Sequence, residues 1–266
     1  MRAPWVLLAA CGGGAATPDA APVDAACNPS VLPLVVSRQD GVVDRVHGSA
    51  RYLGAPAWLL VDTGSATTFV QEPLGSPDPV PNAGTFDIGC SAVMVDGRPE
   101  VPDPPIDGVP VVGTLGTDRL LPGPTAIDFT TSQLVFGTPG DPSWPSAPYD
   151  VVDGSALAHV TLDGQPIRLL VDTGDDDTLW LGQQPQPGDT EIDTVDAEGH
   201  PLVLYLGSAT LAIGAWQATV RVLRVPSWPY LEQTIAQLGG DVGGLLGLSS
   251  MGQRVVFDHG TLEVSP

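Results

Sequence analysis

The stretch WLLVDTGSATTF runs from Trp58 to Phe69, and RLLVDTGDDDTL runs from Arg168 to Leu179. LLVDTG recurs unchanged, and only the second copy continues into three aspartates, Asp175 to Asp177. Each apolar run has the length of a buried strand and ends on a carboxylate at the edge of a core, where ionisation is costly without a partner. The Gly that follows admits a turn that a Cβ would obstruct. The Thr hydroxyl between them can hydrogen-bond across the site.

The repeat extends outward from these strings. Each copy is preceded by Gly-Ser-Ala (Gly48 to Ala50, Gly154 to Ala156). In the second copy HVTLDGQPIRLLV alternates around Asp163-Gly164, a hairpin signal. Downstream come the apolar-Gly elements VVGTLGTDRL (Val111 to Leu120) and GGLLGLSSM (Gly243 to Met251). AIDFTTSQLVF (Ala126 to Phe136) and VVFDHGTLEV (Val255 to Val264) then read as closing strands. The second middle is longer, with alternating strands around Asp196 to Gly199 and a short helix in YLEQTIAQLG. The Pro-rich DPSWPSAPYD (Asp141 to Asp150) reads as a linker between halves 31–140 and 151–266. Period-2 patterns and Gly/Pro turns predict a mostly β fold, and the duplication predicts two similar lobes about a pseudo-twofold axis.

If the lobes face each other, Asp62 and Asp172 meet on that axis. Two carboxylates in contact share one proton and titrate as a pair. The ionised member can take a proton from water while the protonated one polarises a carbonyl, which hydrolyses an amide without a covalent intermediate.

On these residues the chain resembles the aspartic proteases of the retropepsin–pepsin group. The family hallmark is an apolar run plus Asp-Thr/Ser-Gly, followed downstream by two apolar residues and Gly. Both halves carry it: LLVDTGSA with VVGTLGTD, and LLVDTGDD with GLLGLSS. DTGDDDTLWL is also close to the DTGADDTV pattern of retroviral proteases. The resemblance covers Pro33 to the C-terminus. It implies a two-lobed acid-protease fold and an aspartic endopeptidase acting on peptide or protein substrates as a monomer, with no cofactor and no metal. Asp62 and Asp172 would form the catalytic dyad. Thr63 and Thr173 would form an inter-lobe hydrogen-bond lattice, and Gly64 and Gly174 would donate N–H groups to the carboxylates. Ser65 is the usual small residue after the motif. A substrate-covering hairpin flap is expected at about Thr194 to Tyr205, with no equivalent in the shorter first half.

Two departures stand out. Asp175 occupies a position where the family places Ser, Thr or Ala, so a third carboxylate sits beside the dyad. Asp118 supplies the acidic residue the family often has after the downstream Gly, whereas Leu248-Ser249-Ser250 does not. These departures motivate an alternative, a catalytically degenerate protease-fold lipoprotein that serves as a cell-envelope binding or scaffold module. The Asp175–Asp177 run reads as a solvated loop with Asp176 in a local bond, because calcium needs spaced oxygens and adjacent side chains diverge. A Ser-His-Asp hydrolase is disfavoured: no Gly-x-Ser-x-Gly occurs, and His47, His159, His200 and His259 read as surface or turn histidines.

Composition sets the outer bounds. The 266 residues are 42% apolar with 32 Gly and 28 Pro, enough for a core and suited to loop-rich β structure. Against 31 acidic residues stand 10 basic ones, all Arg, for a net charge of −21, which argues against nucleic acid as a partner. MRAPWVLLAACGGG places one Arg before a short apolar run, and Leu8 to Cys11 resembles a bacterial lipobox. The expectation is a signal over 1–11, lipidation at Cys11 and a flexible tether over 12–30. That predicts an exported protein of the bacterial cell envelope, at the periplasm or surface, touching membrane only through its lipid anchor. Cys27 and Cys90 could form one disulfide or remain two thiols, and no zinc-like spacing is present.

Overall fold

The computed structural model describes residues 30–101, 103–195 and 200–265. The expected signal and tether up to residue 29, with Cys11 and Cys27, lie outside them. Cys90 is disulfide-bonded. The fold is mostly β. The first half contains β1 (Val31–Gln39), β2 (Val42–Tyr52), β3 (Ala55–Val61), β4 (Phe69–Glu72), β5 (Val80–Ile88), β6 (Ser91–Pro99) and β7 (Val111–Leu115). A single helical turn, α1 (Thr117–Leu120), leads to β8 (Thr125–Asp128) and β9 (Gln133–Phe136). The second half begins with β10 (Ser146–Val152), β11 (Ser155–Leu162), β12 (Gln165–Val171) and β13 (Thr178–Leu181). It continues with β14 (Thr190–Val195), β15 (Pro201–Ile213), β16 (Trp216–Val225), α2 (Pro229–Gln237), β17 (Val242–Leu246), β18 (Arg254–Asp258) and β19 (Thr261–Ser265).

The strand pairings of one half repeat in the other. Each LLV run ends a central strand: β3 pairs antiparallel with β2 and parallel with β7, and β12 does the same with β11 and β17. These two runs, Leu59 to Val61 and Leu169 to Val171, are buried. Burial on both faces is why they read as continuous apolar stretches rather than alternating ones. β4 then pairs with β6 and β7 as β13 pairs with β16 and β17.

A sheet built by both halves joins them, in the order β1-β9-β8-β18-β19-β10. Ile127 stands opposite Val255 in its central β8–β18 pair, and both side chains are fully buried. The expected linker is therefore shorter than its composition suggested, because Ser146 to Asp150 belong to β10. Pro148 survives there because β10 is at the edge of this sheet, where a missing N–H breaks no internal ladder.

The halves differ in one hairpin. β15 pairs with β11 and β16 as β5 pairs with β2 and β6, but β14, which pairs with β15, has no first-half counterpart among the described residues. A hairpin thus stands where the flap was expected, around Thr194 to Tyr205, but none of its described residues lines the cavity beside Asp62; residues 196–199 at its turn lie outside the described residues. Its inner face places Leu202 and Leu204 in a core with Leu231 and Ile235 of α2. Its base is pinned by the buried Arg224 of β16, whose Nη1 donates to both carboxylate oxygens of Asp189 at 2.9 and 3.0 Å.

Candidate active site

Asp62 and Asp172 lie just beyond the ends of β3 and β12, where backbone bonds set both in the same way. The Asp62 N–H donates to Leu115 O at 3.1 Å, and the Asp172 N–H donates to Leu246 O at 3.0 Å. The next turn is tied down equally: Thr117 N donates to Ser65 O and Leu248 N to Asp175 O, both at 2.9 Å. Each aspartate is thus held between its own strand and the downstream apolar-Gly element.

The two threonines interlock across the halves. Thr63 N donates to Thr173 Oγ1 at 3.0 Å, and Thr173 N to Thr63 Oγ1 at 3.1 Å. The hydroxyls donate in turn, Thr63 Oγ1 to Val171 O at 2.8 Å and Thr173 Oγ1 to Val61 O at 2.7 Å. Both threonines have no exposed surface, so this closed set of four bonds satisfies groups that water cannot reach.

Above the lattice the carboxyl groups meet and hydrogen-bond to one another. The glycines are required by the closeness of this approach. A Cβ on Gly64 would stand 2.5 Å from the Asp172 carboxyl atoms, and one on Gly174 would stand 2.7 Å from Asp62 Cγ. The same glycines donate, Gly64 N to Asp62 Oδ1 at 2.7 Å and Gly174 N to Asp172 Oδ1 at 2.9 Å. All five residues expected to support the pair therefore surround it: Thr63, Gly64, Ser65, Thr173 and Gly174.

The pair is electrically unequal. Asp62 accepts a second N–H, from Ser65 at 3.2 Å, and Arg45 favours its charged form. Burial still raises its proton affinity above the ordinary value. Asp172 is raised well above that value, first by burial and then by the charges of Asp62 and Asp175. Proton binding is therefore favoured more at Asp172 than at Asp62, and the two titrate as one coupled pair.

Asp175 is beside the pair rather than within it. Its Oδ1 accepts the Asp177 N–H at 3.2 Å. Burial, with Asp176 adding, lifts this carboxyl to about 7. The rest of the run is structural. Arg221 Nε donates to Asp177 Oδ1 at 2.5 Å, and its Nη2 is 3.6 Å from Asp176 Oδ2. The expected solvated loop is thus corrected: Asp177 is buried and salt-bridged, and Asp176 joins it on the same arginine. Among the described residues no cluster of His, Cys, Asp and Glu is arranged to hold a metal.

The second departure is resolved locally. Asp118 accepts both the N–H and the hydroxyl of Thr68 at 2.7 Å, and Gly116 N donates to Thr68 Oγ1 at 3.0 Å. In the second half Ser250 Oγ lies 2.7 Å from Thr178 Oγ1, which accepts from Gly247 N at 3.2 Å. A serine hydroxyl therefore holds the threonine that a carboxylate holds in the first half.

Beside Asp62 opens a cavity of about 300 Å³, with Glu100 and Arg98 on one wall and Tyr230, Gln233 and Gln237 of α2 on another. Phe69, Asp78 and Arg98 also line a second cavity of about 890 Å³. Sequence reading missed Glu100 and α2 as site features, because neither lies in a motif. His47 is a further correction. It is buried in β2, with Nε2 2.9 Å from Asp103 Oδ2, rather than on the surface. His159 Nε2 and His259 Nδ1 also meet aspartates, Asp150 at 2.8 Å and Asp258 at 2.6 Å.

A scan against protein-family models matches none, and a search of curated proteins returns no match. Among solved structures the chain is similar to the aspartic proteinase from Irpex lacteus. The identity is 14%, covering 88% of this chain and 97% of that one, with a TM-score of 0.45.

Proposed function

We propose that the chain is an aspartic endopeptidase with a two-lobed, pepsin-like arrangement, and that Asp62 and Asp172 are its catalytic dyad. The observation that carries this reading is the hydrogen-bonded carboxyl pair on the interlocked Thr63–Thr173 lattice, approached by two glycines with no room for a Cβ.

The chemistry follows from where the proton sits. Asp62, ionised, accepts a proton from a water held between the carboxyls as the water oxygen bonds to the scissile carbonyl carbon. Asp172 gives its proton to the carbonyl oxygen, so a neutral gem-diol forms without a covalent enzyme intermediate. In the second step a diol hydroxyl returns a proton to one carboxylate and the amide nitrogen takes the other proton as the C–N bond breaks. The pair ends with one proton, as it began. The two cavities that share Phe69, Asp78 and Arg98 offer a groove longer than one side chain, which suits an extended peptide.

The test is cleavage of a mixed peptide library from pH 3 to 7 by the intact protein and by Asp62→Asn. Cleavage that is blocked by a statine-type inhibitor and lost in Asp62→Asn is expected. No cleavage at any pH, or equal cleavage by the variant, overturns the reading.

A further inference from the structure

The cavity next to Asp62 is lined by more negative than positive side chains, and the two halves both supply them. Asp78 comes from the connection into β5, Glu100 from the residue after β6, and Asp153 from the turn between β10 and β11. Asp78 and Asp153 are exposed at the rim, while Glu100 is half-buried. Arg98 is the one basic residue on the wall among the described residues, and its guanidinium lies over the Phe69 ring at 5.2 Å from the centroid.

Glu100 is unusual for the little that holds it. Its Oε2 accepts a single side-chain bond, from the neutral amide of Gln71 at 3.2 Å, while its backbone N–H is fixed to Glu72 O at 3.2 Å. A carboxylate has room for about four hydrogen bonds. A half-buried carboxylate served by one amide, on the wall of a cavity that opens beside a second carboxylate, is a setting that suits a cation. A lysine or arginine side chain of a bound peptide supplies both the charge and the missing donors, with its methylenes against Phe69 and Leu170.

We propose that this cavity is a subsite for a basic side chain next to the scissile bond, and that Glu100 is its specificity-determining residue. This rests on the endopeptidase reading and names the substrate class it would select: peptides with Lys or Arg beside the cleaved bond. The groups facing Glu100 set how the preference responds to pH. Burial is the largest influence and lifts its carboxyl to about 7; Asp62 and Asp103 push the same way, while the Gln71 amide and Arg98 oppose them. Glu100 gains its charge as pH rises through that value, so the preference for a cation grows from pH 5.5 to 8.

The experiment uses two hexapeptides identical except for Lys or norleucine at one central position. Cleavage is measured with the full-length protein, and binding by fluorescence anisotropy with the full-length Asp172→Asn variant. We expect a Lys-over-norleucine ratio of about tenfold or more at pH 7.5, falling to about twofold when Glu100→Gln is introduced in either background. The ratio is taken within each protein, so a general loss of activity or folded fraction cancels. In the unmodified protein it should also shrink between 20 and 500 mM NaCl, as screening requires. A ratio near one, or one that Glu100→Gln leaves intact, overturns the subsite. A Lys preference retained in binding by a protein that cuts neither these peptides nor the mixed library at any pH would instead reject the endopeptidase reading and keep the cation subsite.

Discussion

The two Asp-Thr-Gly turns are held by matching hydrogen bonds and have unlike electrostatics. After Gly64 the chain continues Ser-Ala-Thr-Thr, and Asp62 gains the Ser65 N–H as a second donor. After Gly174 it continues Asp-Asp-Asp-Thr; Gly174 gives Asp172 a donor, and Asp175 adds a negative charge as it ionises near pH 7. Two halves with matching hydrogen bonds therefore need not share the proton equally. The residue after each glycine adds to a difference whose largest cause is burial.

The severest way to break this comparison is to neutralise each member in turn. Asp62→Asn and Asp172→Asn should each lower kcat/KM by about a thousandfold or more, since each removes a proton-transfer group. Their stabilities should differ. Asp172→Asn removes the member whose charge is most opposed, so at pH 8 it should melt at a higher temperature than Asp62→Asn, read by circular dichroism. Equal melting temperatures would mean that the proton has no preferred side.

Next in size is the lattice, the part the halves hold in common. Thr173→Val leaves Thr63 N and Val61 O buried without partners, at about 1–3 kcal/mol each, so urea denaturation should show a loss of about 2–6 kcal/mol. Thr173→Ser keeps both bonds and should recover most of it. A valine variant as stable as the original would show that the lattice contributes nothing to joining the halves.

Smaller effects come from the run that only the second half carries. Asp177→Ala removes the closer of Arg221's two carboxylate partners, leaving Asp176 at 3.6 Å, and should cost about 1–3 kcal/mol. Asp175→Ser makes the second turn resemble the first and should act mainly on pH dependence. Asp175 has a folded-state value of about 7, raised above its ordinary one. Its stabilising share is thus complete below about pH 4 and lost as pH rises through 7. The serine variant should show a flatter decline in melting temperature between pH 4 and 8. Its pH–rate profile should also lose its basic limb at a lower pH, because Asp172 no longer feels that charge. Superimposable profiles would show that Asp175 is electrically silent.

How much of this was legible in the sequence depended on whether local chemistry agreed with the fold. The duplicated LLVDTG and the helix at α2 were readable, since apolar period and turn residues point the same way there, whereas each closing segment, read as one strand, is a hairpin, β8–β9 and β18–β19. Asp163-Gly164 was readable as a hairpin, and its φ values of 48° and 77° fit a type I′ turn. Its first-half counterpart was hidden. Leu53-Gly54 makes the same turn with Leu53 at φ 49°, a conformation that leucine rarely adopts. β10 was obscured by its prolines, which a sheet edge tolerates. His47 was misread because a histidine among alternating residues does not disclose a partner 56 positions away. Glu100 belongs to no motif, and its place beside Asp62 comes from strand pairing across the half.

The short connection from Gly137 to Pro145 has a consequence of another kind. The β8–β18 pair and the threonine lattice are contacts that two separate chains could also make, but such a dyad would disperse on dilution. Covalent joining fixes the local concentration of one half around the other in the millimolar range or above, whatever the protein concentration. Specific activity should therefore be flat from micromolar to picomolar protein, and a chain nicked within residues 141–145 should acquire a dilution-dependent activity that the intact chain lacks.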